Sequence, residues 1–173
     1  IAYALNQRLP EDIVVVKSEE VPCDWHPRYQ SKVTKTYEYR IYNDQTKNPL
    51  RRQYTAFVSF PMDIEKMREA AAYLVGEHDF ASFCNVRTNV ESTVRTVDRI
   101  EIDREGREIV IRVTGNGFLY NMVRIIAGTL IRVGRGFYKP EKVKEILEAK
   151  ERTEAGVTAP PQGLVLVRID YGK

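Results

Sequence analysis

The chain has 173 residues, 43% of them hydrophobic and 29% charged, with a formal net charge of +3, the profile of an ordinary soluble globular protein. No apolar run approaches the roughly 20 residues of a membrane span, and the first residues lack the basic-then-apolar order of a signal segment, so a cytoplasmic address is expected. Cys23 and Cys84 are too few and too far apart for a disulfide framework, and neither Cys23 with His26 nor His78 with Cys84 has zinc-finger spacing, so no metal is expected.

At this length one core is the simpler organisation, and a single domain over residues 1–173 is expected. Residues 1–9 have the look of a helix already under way. Leu9-Pro10-Glu11-Asp12 turns into an apolar strand at 13–16, and residues 22–27 form an irregular connection. From 33 to 42, Val33, Tyr37, Tyr39 and Ile41 alternate with Thr34, Thr36, Glu38, Arg40 and Tyr42, the mark of a strand with two different faces. Residues 53–60 read as its partner.

Asp63 is a cap for a helix over 64–75, with Ile64, Met67, Ala71, Leu74 and Val75 inward and Gly76 at its stop. Residues 76–80 read as the exit from that helix. Strands over 94–102 and 108–114 flank the polar turn Asp103-Arg104-Glu105-Gly106, which is hairpin chemistry. Next come the helical run ending near Leu130, the break Gly134-Arg135-Gly136, a short helix over 140–149 started by Pro140, and a last strand over 164–171. Strands in hairpins with helices between them predict an α+β fold, an antiparallel sheet with helices packed on one face.

The run from Gly115 to Leu130 carries the most information. Leu119, Met122, Val123, Ile126 and Leu130 follow the three-and-four spacing of one buried stripe, and Arg124 lies off its centre. A guanidinium held against apolar surface is tolerated only where a carboxylate, a phosphate or carbonyls answer it. Its neighbours at three and four residues are Tyr120, Asn121, Ala127 and Gly128, a row that is polar at one end and nearly bare at the other. Gly128 costs roughly 1 kcal/mol against Ala in mid-helix, which signals close packing or a close ligand. The bland alternative is an amphipathic helix with a solvated Arg at its margin.

Between residues 28 and 52, Arg28, Lys32, Lys35, Arg40, Lys47, Arg51 and Arg52 face only Glu38 and Asp44. Trp25, His26, Tyr29, Tyr37, Tyr39 and Tyr42 interleave with these cations, a mixture that stacks bases while holding phosphates. A solvated sheet face with packing tyrosines is the plainer account. His78, Asp79 and Ser82 are too close in sequence to form a hydrolase triad unaided. No phosphate-cradling glycine loop or dinucleotide fingerprint appears.

Taken together, Lys35-Thr36-Tyr37-Glu38-Tyr39, Gly76-Glu77-His78-Asp79-Phe80 with Ser82-Phe83, Thr93-Val94-Arg95, the run from Gly117 to Leu130, and Ala159-Pro160-Pro161-Gln162-Gly163-Leu164 resemble the C-terminal half of the tRNA pseudouridine synthase A family. The resemblance covers nearly the whole chain. It implies conversion of uridine to pseudouridine in the anticodon stem-loop of tRNA without metal or organic cofactor, by a homodimer with tRNA lying across both subunits. The target base is flipped out of its stack, and an Asp starts the reaction.

By motif position Arg124 is the residue that pairs with that Asp, Tyr37 lies against the base and Leu164 lines the pocket. Asn121 and Phe80 are further substrate-binding candidates, and Arg28, Lys32, Lys35 and Arg40 are candidates for RNA contact. The family carries its Asp in a Gly-Arg-Thr-Asp segment, which does not occur within these residues. This chain alone is therefore expected to be inactive. The alternative is a noncatalytic RNA-binding module of the same fold, and a metal-dependent hydrolase is a third reading.

Overall fold

The computed structural model describes residues 1–27, 32–85 and 90–172. The chain divides into two compact units, residues 1–31 and 32–173. In the first unit the expected helix is the short α1 (Ala2–Asn6). Residues 13–16 are not a strand. The side-chain amide of Asn6 takes the place of a strand partner: its Nδ2 donates to the Val15 carbonyl at 2.9 Å and its Oδ1 accepts from the Val15 amide at 2.8 Å. With no ladder to pack against, Val14 and Val16 remain exposed.

The second unit holds β1 (Thr34–Asn43), β2 (Ala56–Val58), α2 (Ile64–Ala72), β3 (Gly76–Asp79), β4 (Val94–Glu105), β5 (Glu108–Gly115), α3 (Met122–Gly134), α4 (Lys142–Ala149) and β6 (Leu164–Asp170). The strands form a six-stranded sheet in the order β2-β1-β5-β4-β3, and β6 pairs with β1 beside β2. The pairings of β1, β3, β4, β5 and β6 are antiparallel as expected, but β2 runs parallel to β1. Residues 44–55 between the two strands include a 3-10 turn at Pro49–Arg51. That length of connection lets the chain re-enter level with Ile41 and run in the same direction beside the last residues of β1, which a tight hairpin could not do.

Side-chain alternation sorts β1. Tyr39 and Ile41, with Ile109, Ile111 and Val113 of β5, belong to the core shared with α2 and α3. On the other face Glu38 accepts from two arginines: Arg40 Nη2 reaches Oε2 and Arg112 Nη2 reaches Oε1, each at 2.8 Å. Burial alone would raise the Glu38 carboxyl. Hydrogen bonds from Arg40 and Arg112 overcome it, and the group sits below the ordinary glutamate value.

Asp63 caps α2 as read, its Oδ1 accepting from the Lys66 amide at 3.1 Å. The helix ends at Ala72, earlier than expected, and Val75 is exposed. Gly76, at φ +113°, does not close the helix but opens β3, so residues 76–79 form a strand paired with β4. Phe80 and Phe83 are fully buried beyond it. The hairpin turn falls at Gly106-Arg107, later than the pattern suggested, where Gly106 adopts φ +56°.

Candidate active-site pocket

The helix that carries Arg124 is entered through a residue in a conformation that side chains seldom take. Asn121, at the N-cap of α3, has φ 62° and ψ 7°, a left-handed geometry for which asparagine is enriched among non-glycine residues. Its side chain does not cap the helix. Instead Asn121 Oδ1 accepts from Arg124 Nη1 at 3.0 Å. Arg124 Nε donates to the Ala159 carbonyl at 2.7 Å. The amide of Ala159 donates in turn to the Arg124 carbonyl at 3.1 Å.

Arg124 is therefore half-buried and oriented, not solvated at the helix margin. Among the described residues no carboxylate lies within ion-pair distance of it. Two carbonyl-type oxygens accept from its Nε and Nη1, and neither carries the negative charge that would offset the guanidinium.

A cavity of about 260 Å³ opens at this point, lined by Tyr37, Phe118, Leu119, Tyr120, Asn121, Met122, Val123, Arg124 and Leu164. Tyr37 comes from β1 and Leu164 from the start of β6; β6 pairs antiparallel with β1, Leu164 opposite Tyr39 and Leu166 opposite Tyr37. Tyr37 and Leu164 thus share the helix-covered face of the sheet. The Tyr37 ring meets Phe118 edge to face, 5.3 Å between centroids and 86° between planes, a favoured aromatic geometry. Beneath them Tyr39 is fully buried and donates from its hydroxyl to the Pro160 carbonyl at 2.7 Å. Burial pushes that phenol far above its ordinary value, and the nearby Arg124 charge opposes the shift.

Of the residues singled out from the sequence, the fold brings Arg124, Tyr37, Leu164 and Asn121 to one cavity. Phe80 is not among them: it is fully buried in the core, edge-on to His78 and Phe83. The RNA-contact candidates separate as well. Lys32 is exposed, and Lys35 is half-buried on the same face of β1 as Tyr37. Arg40 lies on the opposite face and is bound to Glu38. Arg28 lies outside the described residues. Cys84 is buried and Cys23 exposed, and among the described residues no three His, Cys, Asp or Glu side chains gather as metal ligands would.

Reading the sequence missed Phe118 as the partner of Tyr37, although it stands directly after Gly117. It also missed the Ala159 carbonyl, because a main-chain oxygen carries no residue signature. The one available signal was the run Ala159-Pro160-Pro161, whose prolines stiffen the chain just before Leu164.

A family model described as tRNA pseudouridine synthase matches residues 70–172. A tRNA pseudouridine synthase A from Halalkalibacterium halodurans is 48% identical over 162 residues, covering 94% of this chain and 61% of its own length. Another from Thermoanaerobacter sp. (strain X514) is 48% identical over 171 residues, covering 99% of this chain and 70% of its own. The chain belongs to the tRNA pseudouridine synthase A family. A third relative of the same name, from Exiguobacterium sp., is 47% identical over 170 residues and is covered over 68% of its length. The chain thus spans between 61% and 70% of the length of these family members. No helix among the described residues is long and apolar enough to cross a membrane.

Proposed function

We propose that this chain carries the arginine side of the pocket in which a uridine of tRNA becomes pseudouridine, acting as the C-terminal half of a synthase. The observation that supports this is the state of Arg124, a guanidinium held at Nε and Nη1 by Ala159 and Asn121, lining an apolar cavity, with no carboxylate among the described residues paired to it. A positive charge in that position favours the ionised form of an arriving Asp and orients it by charge-assisted hydrogen bonds. The family's Gly-Arg-Thr-Asp segment supplies that Asp from outside residues 1–173.

The cavity is smaller than the roughly 300–1,000 Å³ typical of pockets for drug-sized ligands, which suits one planar base taken out of its stack. The Tyr37 ring, held edge-on by Phe118, offers that base a flat face. Leu164 and Val123 add apolar wall to the same cavity. Rotation of the detached ring requires that these walls hold the base by shape and not by a fixed set of polar contacts. Lys35, on the face of β1 that carries Tyr37, and the exposed Lys32 are placed to meet phosphates. The enzyme works as a cytoplasmic homodimer with tRNA across both subunits, and without metal or organic cofactor.

The test is to join the 173 residues to the family's Asp-bearing segment and assay pseudouridine in tRNA. Formation by the joined polypeptide and none by this chain alone is the expected result. Turnover by the chain alone would overturn the assignment of the Asp to another segment. Tight tRNA binding by the joined polypeptide with no product would favour the noncatalytic module instead.

A further inference from the structure

Behind Arg124 runs a strap, residues 155–160, that does not line the cavity yet governs the residue that does. Its contact with α3 is backbone on backbone. A Cβ on Gly128 would stand 1.9 Å from the Val157 carbonyl oxygen, and one on Gly156 would stand 2.6 Å from the Thr129 amide nitrogen. Only glycine at both positions lets the two chains approach this closely.

Thr129 fastens the contact. It is fully buried, and its hydroxyl donates to the Ile125 carbonyl at 2.8 Å while accepting from the Gly156 amide at 2.9 Å. A helical threonine ordinarily returns its hydroxyl to the preceding turn; here the same oxygen also anchors another segment. Arg152 grips the strap separately, Nη1 donating to the Gly156 carbonyl at 3.0 Å and Nη2 to Thr158 Oγ1 at 3.1 Å. Tyr39 holds the far end through the Pro160 carbonyl at 2.7 Å. The one strap oxygen directed at the pocket arginine is that of Ala159, 2.7 Å from Arg124 Nε.

We infer that Thr129 and Arg152 are positioning residues for Arg124, acting through the strap to fix the plane of its guanidinium before any carboxylate arrives. Arginine recognises a carboxylate as a planar fork, and a fork free to rotate about its long side chain presents that geometry only part of the time. The Nε bond to Ala159 removes the freedom. The anchors at Gly156 and Thr158 hold the N-terminal side of that carbonyl, as Tyr39 holds its C-terminal side. The geometry stands on its own, whereas its effect on turnover rests on the function proposed above.

Three variants in this chain test the inference: Thr129→Val, which keeps the volume but removes the acceptor; Thr129→Ser, which keeps the hydroxyl; and Arg152→Lys, which cannot span two acceptors. The readout is hydrogen exchange at Arg124 Nε, followed by NMR in arginine-labelled protein. Exchange about tenfold faster in Thr129→Val and Arg152→Lys, near the effect of losing one net hydrogen bond, with Thr129→Ser unchanged, is the expected result. Unchanged exchange in both Thr129→Val and Arg152→Lys overturns it. If Thr129→Val does not fold, Arg152→Lys at a half-buried position carries the measurement. In the polypeptide joined to the Asp-bearing segment, kcat should fall about tenfold with KM for tRNA within about twofold, where a merely structural loss would lower the folded fraction and leave kcat per folded molecule intact. Faster exchange with kcat unchanged overturns the catalytic part. Faster exchange in a joined polypeptide whose parent makes no pseudouridine refutes the proposed function and leaves the strap's role intact.

Discussion

Arg124 and Ala159 exchange two hydrogen bonds, side-chain Nε to carbonyl at 2.7 Å and amide to main-chain carbonyl at 3.1 Å. The pairing ties the first turn of α3 to the segment that delivers Leu164 to β6, so it joins two walls of one cavity. Lysine has no equivalent of Nε and cannot hold Ala159, Asn121 and a carboxylate together. Arg124→Lys, in the polypeptide carrying the Asp segment, is expected to lower turnover by roughly tenfold to a hundredfold, the scale of a lost charge-assisted hydrogen bond. Affinity for tRNA should stay within about twofold. Steady-state kinetics beside a filter-binding assay checks both, and full turnover would remove Arg124 from the chemistry.

Gly128→Ala tests the close approach. In an isolated helix this change would gain about 1 kcal/mol. Here the added methyl meets a backbone carbonyl that cannot rotate aside, and overpacking of this kind costs about 1–3 kcal/mol. A net loss of stability on urea unfolding is expected. A gain would mean that the strap yields easily.

The Glu38 carboxyl predicts an acid dependence. Its native value lies below its ordinary one, since the two arginine hydrogen bonds outweigh the opposing effect of burial. Its contribution to stability is therefore complete above about pH 4.3, the unfolded value, and is lost as pH falls through the lowered native value. Glu38→Gln should cost about 1–2 kcal/mol at neutral pH, a figure kept small because Arg40 and Arg112 are partly exposed. Urea unfolding measured from pH 7 down to pH 3 should then show a shallower acid loss in the variant than in the parent.

Lys32 and Arg40 should part company in RNA binding. Lys32 is exposed, whereas Arg40 is committed to Glu38. Lys32→Ala is expected to reduce the slope of log affinity against log salt by about one, as the loss of one phosphate contact does. Arg40→Ala should leave the slope alone and lower stability instead. Equal effects on the slope would return Arg40 to the RNA surface.

Much of the fold was legible because it is written in local periodicity. The stripe of Leu119, Met122, Val123, Ile126 and Leu130 is buried throughout, and Asp63 announces α2 by ordinary capping chemistry. Of the four pocket residues, Arg124, Tyr37 and Leu164 came from motif position and Asn121 from its place one turn before Arg124 on the helix. What stayed hidden depends on contacts distant in sequence. Residues 13–16 read as a strand because apolar runs do, but a strand needs a neighbour, and Asn6 supplied only one side chain. The parallel run of β2 follows from the path of its connection. Phe80 sits among motif residues, yet its burial against Phe83 and His78 is a fact of packing. Alternation alone would have moved Arg40 away from Lys35, since residues five apart on a strand point to opposite faces.

The left-handed turn at Asn121 has a further consequence. A chain must be forced into that conformation, and the force comes from the folded surroundings of α3, so the entropic cost of aiming the amide at Arg124 is met when the protein folds. Under the function proposed above, an acid that enters the hollow would meet a guanidinium already oriented by Asn121 and Ala159. Replacing Asn121 with a β-branched residue would strain the left-handed turn and remove the amide oxygen that receives Arg124 Nη1, so the loss would fall on the folded state itself.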